Sequence, residues 1–256
     1  MADHPTVLAD APYRDIRNAH YDLAVLPWGA TEPHNLHLPY GTDCIETVKI
    51  GREAVRLAST RGAKVILLPT VPFGVNTGQL DIPLTINMNP STQMAVLNDV
   101  VTSLEHHNIP RLVILNGHGG NDFRQMIREL SLRHKIFLAS VNWYRSVPLK
   151  DFFDVPGDHA DEMETSLMMF LAPDLVLPLS EAGEGKEQHL TIPAFREGWA
   201  WTPRDWTRVT SDTGTGNPKA ATPAKGARYF AAVTEKVAEF LVDLARTDPE
   251  NLYEKG

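Results

Sequence analysis

The 256-residue chain is 43% hydrophobic and 22% charged, enough apolar material to bury a substantial core as one large α/β domain or two small ones. Its formal net charge of −8 argues against a general nucleic-acid binder, whose affinity depends on concentrated Lys and Arg. No apolar run approaches the roughly 20 residues that span a bilayer, the opening Met-Ala-Asp-His lacks a signal-peptide pattern, and the single Cys44 excludes an intrachain disulfide, so a soluble cytoplasmic protein is expected.

Residues 23–27 read as a buried strand, and they run into the polar stretch "WGATEPHNLHLPYGTD", residues 28–43. A helix is predicted over about 43–59, with Ile45, Val48, Ala54 and Leu57 as its apolar stripe. Residues 65–68 form a second strand, stopped by Pro69. Ser91 or Thr92 is placed to cap a helix through about His107, in which Met94, Leu97, Val101 and Leu104 recur at helical spacing. A strand follows over 112–115, a helix over 122–134 and a strand over 136–141. Such alternation predicts a largely parallel sheet covered on both faces. No composition break or internal repeat divides the chain, so one domain over 1–256 is expected.

Two segments break the rhythm. Residues 70–90, with Gly74, Gly78, Pro83 and Pro90, read as an excursion over the sheet edge. Residues 178–222 are rich in Pro and Gly and carry Trp199, Trp201 and Trp206; a loop region this long is usually functional or an interface. A last helix, about 223–246, turns Ala227, Phe230, Val233, Val237 and Phe240 towards the core.

Chemistry gathers beyond the carboxyl ends of strands in open parallel sheets, and three polar stretches fall there. The first runs from Glu32 and His34 to Asp43, the second is "NGHGGN" around His118, and the third is "DHADEMETS", residues 158–166. Two His, an Asp and two Glu converging from separate strand ends would suit Zn²⁺, Mn²⁺ or Fe²⁺, since imidazole and carboxylate serve all three. Glu32 and His34 are two apart, so an extended backbone turns both the same way, and Pro33 favours that extended form. Asp43 has a second reading as a helix cap. His37 could be a ligand but more simply hydrogen-bonds the loop. Glu162 and Glu164 point to different helix faces, so only one can readily join a metal. His106, His107 and His134 read as surface residues, and Cys44 as helix packing.

"PWGATEPHNLHLPYGTD" resembles the first signature of the creatininase, or creatinine amidohydrolase, family. "NGHGGN" is similar to its second motif, "HADEMETS" to its third, and "GTGNPKAATPAKG", residues 214–226, to a weaker fourth. The resemblance covers about residues 20–230 in the family's order. It implies a three-layer αβα sandwich and an amidohydrolase with two divalent metal ions, zinc first and manganese or iron next. Carried over, Glu32 and His118 would hold one metal, His34 and Glu164 the other, and Asp43 would bridge both. His159 would stand beside the bound water as an acid/base or substrate-orienting group, and Glu162 would fall outside the ligand set. A homo-oligomer, often a hexamer, is also implied, with a small molecule as substrate and neither nucleic acid nor membrane as partner.

Four departures mark this chain. Gly120 stands where creatininases carry an acidic residue, Asp161 where the third motif has Gly, Asn35 where many members have Gly, and Gln79 in a segment that often holds His. They favour hydrolysis of a cyclic amide or formamide-type C–N bond over creatinine itself. Metal-dependent phosphoester hydrolysis is the first alternative, and a non-catalytic oligomeric metal-binding module the second.

Overall fold

Alternation along four parallel strands divides the apolar residues between two cores. In the computed structural model, which describes residues 4–155 and 157–253, the strands are β1 (Leu23–Trp28), β2 (Val65–Leu67), β3 (Arg111–Asn116) and β4 (Phe137–Asn142). They lie in the order β2-β1-β3-β4, with Val25 beside Val113 and Val113 beside Ala139. The longer helices are α1 (Thr42–Thr60), α2 (Pro90–His106), α3 (Arg124–Leu130), α4 (Glu162–Leu171) and α5 (Pro223–Arg246).

Leu23, Val25, Val65, Val113 and Leu115 face one side, against Ile50 and Ala54 of α1, Leu167 of α4 and Tyr229, Val233 and Leu241 of α5. Ala24, Leu26, Trp28, Leu112 and Ile114 face the other, against Leu97 and Val101 of α2 and Met126 and Leu130 of α3. This is the αβα sandwich. The central strand β1 is fully buried along its length, as a parallel strand between two helical layers must be.

The expected stripe on α1 needs correction. Its buried face is Asp43, Glu46, Thr47, Ile50, Gly51, Ala54, Val55 and Ala58, whereas Ile45, Val48 and Leu57 are only half-buried. The helical period is intact, but polar residues occupy the N-terminal half of the inward face, and hydrophobicity alone cannot reveal them. On α2 the helix starts at Pro90, one residue before the expected cap, and no side chain caps it. Proline suits this first position, where its missing N–H has no intrahelical partner. The third helix is shorter than expected at both ends, starting at Arg124, whose backbone N–H donates to Asp122 Oδ1, and stopping at Leu130 rather than 134. Residues 70–90 do not simply pass over an edge. They bridge back at Trp28–Val71, Thr31–Ile86 and Gly74–Asn87, above the ends of β1 and β3.

Helices α4 and α5 touch at Gly226, where an added Cβ would collide with the Ser166 carbonyl. Gly226→Ala should therefore destabilise the fold by roughly 1–3 kcal/mol, the range for overpacking a tight contact. Urea unfolding should show a lowered midpoint at unchanged slope.

Candidate metal centre

The loop after β1 places the first two candidate ligands. Pairing of Glu32 N–H with the Tyr40 carbonyl and of Leu38 N–H with the His34 carbonyl folds residues 32–40 back on themselves. Glu32 and His34 are thereby held in the interior, and Gly41 leads into α1, which carries Asp43 inward in its first turn. Asp43 makes no capping hydrogen bond, so its helix-cap reading is replaced by an inward-facing one. Beyond β3, Asn116 shapes the second turn: its Oδ1 accepts the His118 N–H at 3.2 Å and its Nδ2 donates to the His118 carbonyl at 2.9 Å. At the start of α4, Asp161 Oδ1 accepts the Met163 and Glu164 N–H groups at 2.9 and 3.1 Å. The carboxylate that departs from the family motif is thus the N-cap that aims Glu164.

Glu32, His34, Asp43, His118, His159 and Glu164 are all buried together. They form three overlapping groups whose potential ligand atoms lie within 4.8 Å of one another: Glu32–Asp43–His118, His34–Asp43–Glu164 and Glu32–His34–His159. Asp43 stands between the first two. Its Oδ1 lies 3.0 Å from His34 Nε2 and its Oδ2 lies 3.0 Å from His118 Nδ1, while Glu32 Oε1 lies 2.7 Å from that same Nδ1.

The opposite nitrogens explain why the cluster suits a cation. His34 Nδ1 lies 3.0 Å from the Glu32 carbonyl, His118 Nε2 3.1 Å from the Val75 carbonyl and His159 Nε2 2.8 Å from the Pro33 carbonyl. A carbonyl only accepts, so each of these nitrogens must carry its proton. In a neutral imidazole the other nitrogen is then a lone pair, and for His34 and His118 it faces carboxylate oxygen. Lone pair against carboxylate is repulsive unless a proton or a metal ion lies between. Backbone carbonyls commonly fix metal-binding imidazoles in this way. The donor set of N and O atoms fits a divalent metal.

The charge states carry the same tension. Burial opposes charge on His34, but Asp43, Glu164 and Glu32 outweigh it and raise the imidazole to about 10. Burial likewise opposes charge on His118, and Glu32 and Asp43 likewise raise it. Asp43 is held low despite its burial, by His34 and His118. Burial lifts Glu164 to about 8, aided by the charges of Asp43 and Asp161. His159 is lowered by burial and by the charge of His34.

The other residues singled out in the sequence lie outside the three ligand groups. His37 Nε2 meets Thr165 Oγ1 at 2.9 Å and ties the loop to α4; it joins none of the ligand groups among the described residues. Glu162 is fully buried, accepting from the Asp154 and Val155 N–H groups at 2.9 and 2.7 Å and from Lys225. His134 is no free surface residue, because its Nδ1 pairs with Glu105 at 2.7 Å. Cys44 Sγ lies 3.2 Å from the Ala30 carbonyl, at the turn between β1 and α1. Trp199 and Trp201 are 75% and 83% exposed, whereas Trp206 packs edge-on against His159 at 4.8 Å.

The contact made by Gln79, and the whole role of Glu46, emerge only in three dimensions. The Gln79 side-chain amide donates to Glu32 Oε2. The segment around it also explains Gly120, where a Cβ would collide with the Val75 carbonyl and the His118 ring. The space an acidic side chain would need is filled. Glu46 lies fully buried on α1 with neither carboxyl oxygen hydrogen-bonded. Its only sequence signal is helical spacing from Asp43 and Ile50.

A parallel αβα sandwich with a buried carboxylate–imidazole cluster beyond the strand ends defines an enzyme-like metal-site architecture. The chain belongs to the creatininase family, described as creatinine amidohydrolase, which it matches over residues 9–241. It is similar, at 44% identity and a TM-score of 0.92 over 99% of this chain and 100% of the other, to a protein of Bacteroides fragilis NCTC 9343 assigned provisionally as a creatinine amidohydrolase. A mycofactocin precursor peptide peptidase of Mycolicibacterium smegmatis is 28% identical over 85% of this chain and 83% of its own. A manganese form of creatininase shares the fold, at 19% identity and a TM-score of 0.78 over 94% of this chain and 99% of the other. The named activities among these relatives are hydrolytic, and hydrolase is the class they support here.

Glu46 gives a stability test. Burial, with Glu164, Asp43 and Asp161 nearby, raises its carboxyl well above the usual 4.5. The folded state thus keeps a proton that the unfolded chain loses, so the contribution of Glu46 to stability is full below pH 4.5 and is lost as pH rises towards the raised value. In chelator-treated protein, Glu46→Gln should flatten the decline in unfolding free energy as pH rises above 4.5. Parallel urea curves for variant and wild type check this.

Proposed function

We propose that this chain is a metal-dependent hydrolase of amide-type C–N bonds, acting on a small cyclic-amide or formamide-type substrate other than creatinine. The observation that carries the reading is Asp43, whose two oxygens each face a different imidazole with its tautomer fixed by a backbone carbonyl. Glu32, Asp43 and His118 would hold one divalent ion, and His34, Asp43 and Glu164 the other. Zinc is the leading candidate, with manganese or iron next. Such ions supply carbonyl polarisation and a more acidic bound water.

The chain's own residues do the rest. His159 donates from Nε2 to Pro33, which leaves Nδ1 free to take a proton. Its lowered pKa keeps the ring neutral near pH 7, as a base must be before it acts. The same nitrogen can return that proton to the departing amine. Trp206 against its ring restricts rotation and water. Gln79 holds Glu32 from the side away from His118 Nδ1, through its other oxygen. The blocked space at Gly120 argues against creatinine.

A second reading, an acyclic peptide amide, is favoured by the similarity to the mycofactocin precursor peptide peptidase. Phosphoester hydrolysis and a purely structural metal rank lower. Arg204, which lies beside Trp206, is already paired with Asp158 and so is not free for a phosphate, and structural zinc usually has four closing ligands rich in Cys. Exposed Ile192, Trp199 and Trp201 offer apolar anchors for a homo-oligomer. The lone Cys44 fits a cytoplasmic setting, and no described helix is long and apolar enough to cross a membrane.

Metal analysis of purified variants tests the ligand assignment. Asp43→Ala should lose both ions, and His34→Ala or His118→Ala chiefly one; full metal content in Asp43→Ala would end the bridging role. His159→Ala should keep its metal while turnover of an amide substrate falls roughly 10²–10⁴-fold, the usual scale for an acid–base group. Assays on creatinine, formamides and short peptides separate the substrate readings, and efficient creatinine turnover would refute the first.

A further inference from the structure

Asn35 lies between the candidate ligand His34 and the exposed Leu36, with φ of +53°. Asn tolerates this left-handed conformation better than most residues, which accounts for Asn at a position where Gly would also serve. The side chain does more than tolerate it. Its Oδ1 accepts the Gly183 N–H at 2.8 Å and the Leu36 N–H at 2.6 Å, and its Nδ2 donates to the Gly183 carbonyl at 3.3 Å. The amide thereby reads both backbone groups of one residue that lies 148 positions away.

Gly183 lies near the start of the long segment, residues 178–222, that departs from the strand–helix rhythm. Beyond it, Asp212 accepts the Gly185 and Gly214 N–H groups at 3.0 Å each and the Thr210 hydroxyl at 2.8 Å, so the two ends of the segment are tied together. The Gly216 N–H then donates to the Gly185 carbonyl at 2.9 Å, and Thr215 exchanges backbone hydrogen bonds with His159. The middle of the segment folds over the same place. Trp206 packs on His159, and Arg204 spans Trp206 and Asp158, pairing with the latter at 2.6 Å. The Arg204 carbonyl also lies where a Cβ on Gly78 would be, beside Gln79.

We propose that Asn35 is a positioning residue whose side-chain amide clamps residues 183–216 over the metal centre and thereby holds Trp206 and the backbone of His159 in place. This rests on the reading of His34 and His159 as parts of one site. The clamp makes the covering segment register with the ligand loop itself, so the roof and floor of the pocket share a fixed point. If Asn35 served only its backbone angle, glycine would replace it without loss.

Asn35→Gly separates the two roles, because glycine keeps the left-handed angle and removes the amide. Hydrogen exchange on the full-length protein is the readout, and it needs no substrate. Peptides within 183–186 and 210–216 should exchange about tenfold faster or more, as expected when two or three hydrogen bonds holding a local opening are lost. Peptides of β1 and α1 should exchange as in wild type, and metal content should be unchanged. Asn35→Asp keeps an acceptor for the Gly183 N–H and should fall between. In kinetics on an amide substrate, kcat/KM should drop for Asn35→Gly at full metal content. An Asn35→Gly segment that exchanges like wild type overturns the inference, as does one in which β1 opens equally. So does Asn35→Asp as loose as Asn35→Gly. Loss of clamped exchange with no hydrolytic activity in any protein would retain the clamp and reject the hydrolase.

Discussion

Everything in this molecule is arranged around a concentration of carboxylates that water does not reach. Glu32, Asp43 and Glu164 meet in the interior with two imidazoles whose outward nitrogens already give their protons to backbone carbonyls. Burying unpaired charge is costly, and such groups persist only when neutralised by a proton or a cation. The fold provides rigid supports for that arrangement from separate parts of the chain. The β1 loop supplies Glu32 and His34, α1 supplies Asp43, the end of β3 supplies His118 and α4 supplies Glu164. Backbone carbonyls fix the two imidazoles and the Asp161 cap aims Glu164, whereas Asp43 is held by its place in the first turn of α1 and by His34 and His118. The result is a preorganised set of donors, the condition that a tight metal site demands.

Much of this was readable from residue order. Apolar runs at 23–27 and 112–115 mark β1 and β3 because a parallel strand buried on both faces carries few polar side chains, and the run at 136–141 marks the edge strand β4, which is only partly buried. The two-residue spacing of Glu32 and His34, across Pro33, already puts both on one side of an extended backbone. Legibility failed where a core face is polar. On α1, Asp43, Glu46 and Thr47 point inward, so a hydrophobic stripe drawn through Ile45, Val48 and Leu57 falls beside the true one. It failed also for residues 70–90, whose importance lies in backbone carbonyls and one amide. Val75 fixes His118 with a main-chain atom that any residue could supply, and no side-chain pattern can announce it.

Substitutions inherited from the family pattern take on physical meanings of different kinds. Asp161 is not surplus acidity but the N-cap of α4. Gly120 is a small residue in a crowded place, since the 74–79 segment has closed in behind His118. Changing it to an acid would therefore not restore a creatininase-like side chain to an open position. It would push against the ring that the metal centre depends on. The shape of the cluster's surroundings is thus set by the course of a loop as much as by single side chains.

The last helix carries a consequence for biosynthesis. Helix α5, Pro223–Arg246, packs against both α1 and α4, the elements that hold Asp43 and Glu164. Its Gly226 sits directly on the Ser166 backbone, two residues beyond Glu164. A ribosome-bound chain would have made every candidate ligand by residue 164 while still lacking the brace that sets two of them. The assembled carboxylate–imidazole cluster is accordingly a property of the chain through α5, and not of the shorter segment that carries its members.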